Sequence, residues 1–565
     1  MTPSVLHMKT LVYRGLLALT LISFVSSCEL VETNISPNAP AFGTLSPLEG
    51  LPGAQVNLAA SYYNTFNFLG NLYTGGHVTA FGLQEGPNNR YQLTPLSFNG
   101  TWGVLYTSVL KELENIEVGF PADDNNSKHA RAIAKILKAF TYQVIVDVWG
   151  KAPRNGALLG LEGLEPVYDS GEAIYAANIA DLNEAVTLIG EAGTGTSSFI
   201  SPFDVMFRGN MGRWRRFANT LILRHLIRQR DAVAGTDTQI SDLIAASGTN
   251  GGFLTAGENV TVNPGYAFAA NQQNPLQAAF RTSGGTAAQP DQFFRANQFS
   301  VDTLYSVGDR RVRLLYRAAP VPPSNYTTAW TTGGQSGRNR RGWSLGVVSG
   351  VVDSNSPNST SRYGIGVYGR TGDVGGDAAG ATRPAYLMLA SESLFLQAEA
   401  ALYGLGGTAS SLYTSGIVES YSYLYGVAST AGLVSDGADG SYLQIAAVTP
   451  FQATTDGNAF AATVPLTGTE QEQLAQIIFQ KYTSQVGING FENWCEFRRT
   501  GFPGNLPLSG LAPQANYPIR VPYVQSEIAG NSVNVPTTDA DYFTARVFWD
   551  TALETPTPAF TGLGR

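Results

Sequence analysis

Gly342-Trp343-Ser344-Leu345-Gly346 has the G-x-S-x-G spacing that places a nucleophilic serine on a strand-to-helix elbow. The elbow needs a core strand before it, and here Arg338, Asn339, Arg340 and Arg341 precede it. It also needs a histidine later in the chain to take the serine's proton, and the last histidine is His225. A serine hydrolase of that fold is therefore excluded. Gly364-Ile365-Gly366-Val367-Tyr368-Gly369 fits G-x-G-x-x-G, the dinucleotide fingerprint, but it follows SPNSTSR and leads into TGDVGGDAAG. Neither the strand nor the phosphate-facing helix is there. His77, His129 and His225 lie far apart, and the chain has no H-E-x-x-H and no C-x-x-C. His129 and His225 fall in helical segments and read as ordinary packing or surface residues. No metal, cofactor or catalytic residue is assigned. Carboxylates are plentiful, and a glycosidase needs only two, about 5 to 9.5 Å apart. Spacing along the chain does not test that distance, so a surface glycan hydrolase stays open as an alternative.

Cys28 is one of only two cysteines, the other being Cys495. Lys9 and Arg14 give a short positive start, and Gly15 to Val25 are uncharged. That apolar run has the length of a signal-peptide core and is too short to cross a bilayer of about 30 Å as a helix. Val25-Ser26-Ser27-Cys28 resembles the lipobox of bacterial lipoproteins, whose cysteine receives a diacylglycerol and becomes the new N-terminus. The expectation is a lipoprotein signal over 1–27, starting at Met1 or Met8, with Cys28 as the anchor. A polar tether over 28–52 and a single domain over 53–565 complete the expected organisation.

After Cys28 no second apolar run approaches 18 residues, so no membrane-spanning helix is expected. The net charge of -8 gives no reason to expect nucleic acid as a partner. Only 14% of residues are charged, while glycine and tyrosine abound, which suggests long, aromatic-bearing polar loops.

The elements that must position any site are helices. In NNSKHARAIAKILKAFTYQVIVDVWG, Ala130, Ile133, Ala134, Leu137, Phe140, Thr141, Val144 and Val148 form one stripe, with Asn126 or Ser127 as cap. DSGEAIYAANIADLNEAVTLIG repeats the pattern, with Asp169 or Ser170 as cap. Similar spacing predicts helices near 102–118, 210–230, 384–403 and 469–486. Residues 231–380 differ, being rich in Gly, Ser, Thr and Asn with aromatics spaced through them. Flexible linkers seldom carry so many rings, so this half reads as ordered binding loops.

A series of local strings then matches one family in order. Asp147-Val148-Trp149-Gly150-Lys151-Ala152-Pro153 is followed by Pro166-Val167-Tyr168-Asp169-Ser170 and Asp181-Leu182-Asn183-Glu184-Ala185. Arg213-Trp214-Arg215-Arg216-Phe217-Ala218-Asn219-Thr220-Leu221-Ile222-Leu223-Arg224 comes next, and then Ser391 to Ala400 and Tyr413 to Ile417. Gln480-Lys481-Tyr482, Gly490 to Gly501 and Arg520-Val521-Pro522-Tyr523 close the series. Together with the lipobox they resemble the SusD/RagB family of outer-membrane nutrient-binding lipoproteins, across nearly the whole mature chain. Within these strings, Glu492, Arg498 and Arg499 beside Trp494 read as ion pairs joining elements, because buried charge is costly unless paired. Cys495 reads as a small buried hydrophobe. Trp102, Trp149 and Trp214 read as helix packing.

The resemblance implies a mostly α fold, four tetratricopeptide-like helix pairs carrying a loop-rich, variable half over 231–380. It implies a lipid-anchored protein facing outward from the outer membrane, partnered by a SusC-like TonB-dependent transporter. Such a protein captures an oligomeric nutrient, often a glycan, and is not an enzyme. A tetratricopeptide-like adaptor without a ligand is the other alternative. If the ligand is a sugar chain, its C–H faces stack on exposed rings. Trp330, Trp343 and Tyr363 are then the leading ligand-binding candidates, and Tyr73 and Tyr91 the secondary ones. Otherwise these rings pin the loops to the scaffold.

Overall fold

The computed structural model describes residues 46–79, 87–282, 294–317, 340, 342–343, 360–368, 378–430, 450–513, 516–537 and 541–551. The chain divides into two compact units, 1–49 and 50–565. Among the described residues, the long helices all lie in the second unit.

The first helix, α1 (Leu51–Ala59), passes through a π-helical stretch (Ala60–Phe66) into α2 (Asn67–Tyr73). Tyr62, Tyr63, Phe66 and Tyr73 from this segment are all buried. A second broken helix comes next: α3 (Asn99–Gly103), a π-helical stretch (Val104–Leu110) and α4 (Lys111–Gly119). Beyond it lie α5 (Asn125–Trp149), α6 (Gly171–Ala192), α7 (Met211–Gln229) and α8 (Thr236–Ala245). The stripe read in α5 is buried along its length, and each Leu, Ile or Phe so placed contributes about 1.5–3 kcal/mol. His129, near the start of α5, meets the Gly193 carbonyl just beyond α6 at 2.8 Å, so the two helices run antiparallel. Asp124, not Asn126 or Ser127, caps α5, accepting from both of their backbone N–H groups. A carboxylate there also suits the positive end of the helix dipole. Ser170 caps α6, accepting from Ala173 N.

The later helices are α9 (Pro275–Phe280), α10 (Gln298–Ser306), α11 (Val312–Leu315), α12 (Ala390–Leu402) and α13 (Ala409–Thr430). The last long ones are α14 (Pro450–Thr463), α15 (Glu470–Gln485) and α16 (Gly490–Thr500). The chain is mostly helical, with helices paired as in tetratricopeptide repeats. Its two ends meet where α2 crosses α16. A Cβ on Gly70 would lie 2.1 Å from the Gly490 carbonyl oxygen, so only glycine permits this approach. Asn67 and Asn71 seal the crossing, bonding the backbone of Gly487 and Gly490 at 2.7–3.0 Å.

Two features depart from the sequence expectation. The helix expected over 384–403 begins at Ala390, because Ala385–Met388 form a strand, β4, paired antiparallel with β2 (Val260–Val262). All four residues of β4 are buried, so tertiary pairing overrides helical spacing. The described part of the segment 231–380 also carries regular elements. It contributes α8, α9, α10, β2 and a strand, β3 (Phe294–Ala296), which pairs antiparallel with β1 (His77–Thr79). No described helix is long and apolar enough to cross a membrane.

Candidate functional site

Two clusters of chemistry-bearing side chains stand out, one closed and one open. The closed cluster lies where α5, α7, α12, α15 and α16 converge. Arg224 bonds Glu492 at 2.8 Å and reaches Glu392 at 3.2 Å. Arg228 bridges Asp147, at 2.5 Å, and Glu492. Lys481 holds Glu496 at 2.9 Å, and Arg499 spans Glu399 at 2.7 Å and Glu496 at 2.5 Å. Arg498 lies 3.7 Å over the Trp494 ring and donates to the carbonyls of Asp147 and Ile519. Burial works to raise the Glu492 pKa, yet Arg224 and Arg228 hold it down at about 2. Asp147 further accepts from Tyr175 Oη at 2.5 Å and Trp549 Nε1 at 2.8 Å. Every charge here faces a partner, and all these side chains are buried, so the cluster is a structural junction. Cys495 is buried beside it and accepts from Arg498. Trp102, Trp149 and Trp214 are packing residues; the first two rings meet edge-on at 5.0 Å.

The aromatic candidates do not form an exposed platform. Cys28 and Trp330 lie outside the described residues. Trp343 is buried, its backbone bridged to the Ala296–Gln298 segment. Tyr363 is buried too; it stacks on Tyr316 with centroids 5.9 Å apart, and its hydroxyl meets His77 Nδ1 at 2.8 Å. Burial pushes the His77 pKa down to about 3, leaving a neutral packing residue. Tyr73 packs edge-on against Tyr91 and Trp494. The Tyr91 hydroxyl accepts from Ser509 N at 3.2 Å. Stacking a sugar needs an open ring face, and these four faces are occupied by protein. They pack within the scaffold or pin loops to it.

His129 bonds the end of α6, and His225 lies in α7 with Nδ1 against the Leu221 carbonyl. Among the described residues, no group of three or more His, Cys, Asp or Glu could hold a metal ion. Of the elbow motif, Gly342 and Trp343 are described and Ser344 to Gly346 are not. Ile365–Tyr368 of the glycine motif make one helical turn after the Tyr363 bridge.

The open cluster is a cleft of about 410 Å³ between α13, the loop leading into β2, and the start of β4. From α13 come Glu419, Ser422, Tyr423, Gly426 and Val427, spaced i, i+3, i+4, i+7 and i+8, which is one face of a helix. The loop supplies Gly257 and Asn259; Arg383, Pro384 and Tyr386 complete the wall. Tyr386 and Tyr423 meet at right angles with centroids 5.2 Å apart. The Tyr423 hydroxyl accepts from Arg383 at 3.0 Å, and Arg383 also donates to the Val367 and Gly366 carbonyls. Gly257 adopts φ +78°, a conformation that favours glycine, and so turns its N–H to within 3.0 Å of Glu419 Oε1. Glu419 is only 5% exposed, and burial raises its pKa from the usual 4.5 to about 6. No ion pair holds it among the described residues. Concavity, aromatic walls and a few convergent polar groups are the makeup of a small-molecule site.

Sequence reading missed this cleft. The signal was the stripe in Glu419-Ser420-Tyr421-Ser422-Tyr423-Leu424-Tyr425-Gly426, but nothing in the chain places Tyr386 opposite it until β4 is known to be a strand.

The architecture is thus a helical-repeat scaffold holding a cleft walled in part by tyrosines. A family model described as "Starch-binding associating with outer membrane" matches residues 42–523, and the chain belongs to this SusD-like family. No curated protein matches it in sequence. Among solved structures it is similar to a chitin-binding protein (22% identity, 90% of this chain and 100% of that one, TM-score 0.70). It is also similar to a SusD/RagB family protein from Bacteroides thetaiotaomicron (19% identity, 89% and 99%, TM-score 0.65). A third is a chitin-binding SusD homologue from Flavobacterium johnsoniae (22% identity, 90% and 98%, TM-score 0.62).

Proposed function

We propose that this protein captures a saccharide in the cleft between α13 and β4 and passes it, intact, to a SusC-like TonB-dependent transporter. It does so as a lipoprotein anchored through Cys28 on the outward face of the outer membrane. The observation that carries the reading is the cleft itself. Tyr386 and Tyr423, each 7% exposed, form part of an apolar wall, while Glu419, Ser422 and Asn259 offer polar atoms to hydroxyls. Family membership and the chitin-binding relatives support a saccharide as the ligand. Among the described residues the cleft wall has a single carboxyl, Glu419, and glycoside hydrolysis ordinarily uses two. That favours capture over cleavage.

The test is equilibrium binding to a panel of soluble glucan and chitin oligosaccharides, with chromatography of the recovered sugar afterwards. At least one oligosaccharide is expected to bind and to return unchanged. Reproducible cleavage products, or no binding by any neutral oligosaccharide of the panel, would overturn the reading.

A further inference from the structure

The polar groups around Glu419 describe what its ligand must bring. Gly257 N–H satisfies Oε1, and no cationic side chain pairs with the carboxylate among the described residues. Glu258, its neighbour across the loop, is spent on Arg216, with bonds of 2.5 and 2.9 Å. The cleft's own cation, Arg383, is held by the Tyr423 hydroxyl and two backbone carbonyls. An acid buried to this degree is costly to ionise unless a partner arrives. Tyr386 and Tyr423 form part of the remaining wall, and aromatic rings attract cations, as Arg383 at 6.0 Å over the Tyr386 ring shows.

A buried carboxylate beside tyrosine rings is the chemistry that holds an ammonium group. We propose that the cleft prefers a saccharide bearing a free amino group, with Glu419 as the ion partner of its ammonium nitrogen. This inference rests on the cleft being the saccharide site and goes further by naming the class of sugar.

Glucosamine oligomers and their fully N-acetylated counterparts share a backbone and differ at the nitrogen, one charged and one neutral. Affinities of the purified protein for both, measured by calorimetry at pH 7, read the preference directly. At that pH a substantial share of the sugar amines is protonated, and Glu419 is ionised. The free-amine oligomer is expected to bind about tenfold tighter, the worth of a modest charge-assisted hydrogen bond. Glu419→Gln keeps an acceptor for Gly257 N–H and is expected to bring the two affinities to within about twofold. At pH 5, where Glu419 is protonated, the wild type is expected to lose the preference too. A free-amine oligomer that binds no tighter than its acetylated counterpart, or a preference that survives in Glu419→Gln, overturns the inference.

Gly426→Trp separates that failure from failure of the site. Gly426 lines the cleft, and a Cβ there meets nothing within 4 Å, so the large ring fills the cleft without displacing the core. Equal affinities that Gly426→Trp abolishes overturn the amino preference and leave the cleft reading standing. Affinities untouched by Gly426→Trp overturn both.

Discussion

Glu492 and Glu419 are both carboxyls with little or no exposed surface, yet their surroundings differ completely. Glu492 faces Arg224 and Arg228 and is held at a pKa of about 2. Glu419 has one backbone N–H, and burial lifts it to about 6. The first lies where five helices converge; the second lines a cleft. A buried charge with its partners in place joins elements, whereas one left short of partners awaits a ligand. The same residue type therefore does structural work in one region and, in the function proposed above, recognition work in the other.

The largest effect is expected from breaking the junction. Glu492→Gln leaves Arg224 and Arg228 without a shared counter-charge, and removing one partner of a buried pair costs about 3–5 kcal/mol. A large fall in the denaturation midpoint checks this; a midpoint unchanged from wild type would mean that the network does not hold the helices together. Gly426→Trp is the opposite case. Saccharide affinity is expected to fall about a hundredfold, or about 2.7 kcal/mol, with the melting temperature held. A variant that binds as wild type does would place the ligand elsewhere.

Smaller effects sharpen the contrast. Well below pH 4.5 Glu419 is protonated whether the chain is folded or not, and its burial costs nothing electrostatically. Between pH 4.5 and about 6 the unfolded chain ionises this carboxyl while the folded protein, where it is desolvated, keeps it protonated. At 1.36 kcal/mol per pKa unit, about 2 kcal/mol of stability is lost across that window. Glu419→Gln is expected to remove this dependence and to be the more stable protein at pH 7, as read by denaturation at pH 4.5 and pH 7. A variant with the wild-type pH dependence would show that Glu419 is solvated. Tyr423→Phe deletes the acceptor of one Arg383 bond, so its cost is expected to be smallest, about 1 kcal/mol of stability. A loss several times larger would make that hydroxyl a structural anchor instead of part of a binding wall.

Much of the scaffold is legible in the sequence because helices advertise themselves through spacing. The α5 stripe, the Ser170 cap and the ion-pairing of Glu492 and Arg499 follow from local sequence and the cost of burying charge. Arg498, also expected to ion-pair, instead bonds the Asp147 and Ile519 carbonyls and lies over Trp494. The α5 cap is Asp124, two and three residues before the expected Asn126 or Ser127, because its carboxylate accepts from both of their N–H groups. The site is harder to read. Trp343 and Tyr363 fall in a loop-rich stretch, a context that suggests exposure. Their burial depends on pairings with Asn297 and Tyr316, 46 and 47 residues away in sequence. The cleft brings together residues near 257, 385 and 420, and one of its walls lies on a strand whose sequence has helical spacing. Long-range pairing makes these contacts, and no local pattern encodes it.

Saccharide capture between α13 and β4 is tested most sharply by a crystal structure of the protein soaked with an oligosaccharide that it binds in solution. A sugar ring is expected against Tyr386 or Tyr423, with a ligand donor within hydrogen-bond distance of Glu419 Oε2. A well-ordered saccharide bound elsewhere, with the α13–β4 cleft empty, would contradict capture at this cleft.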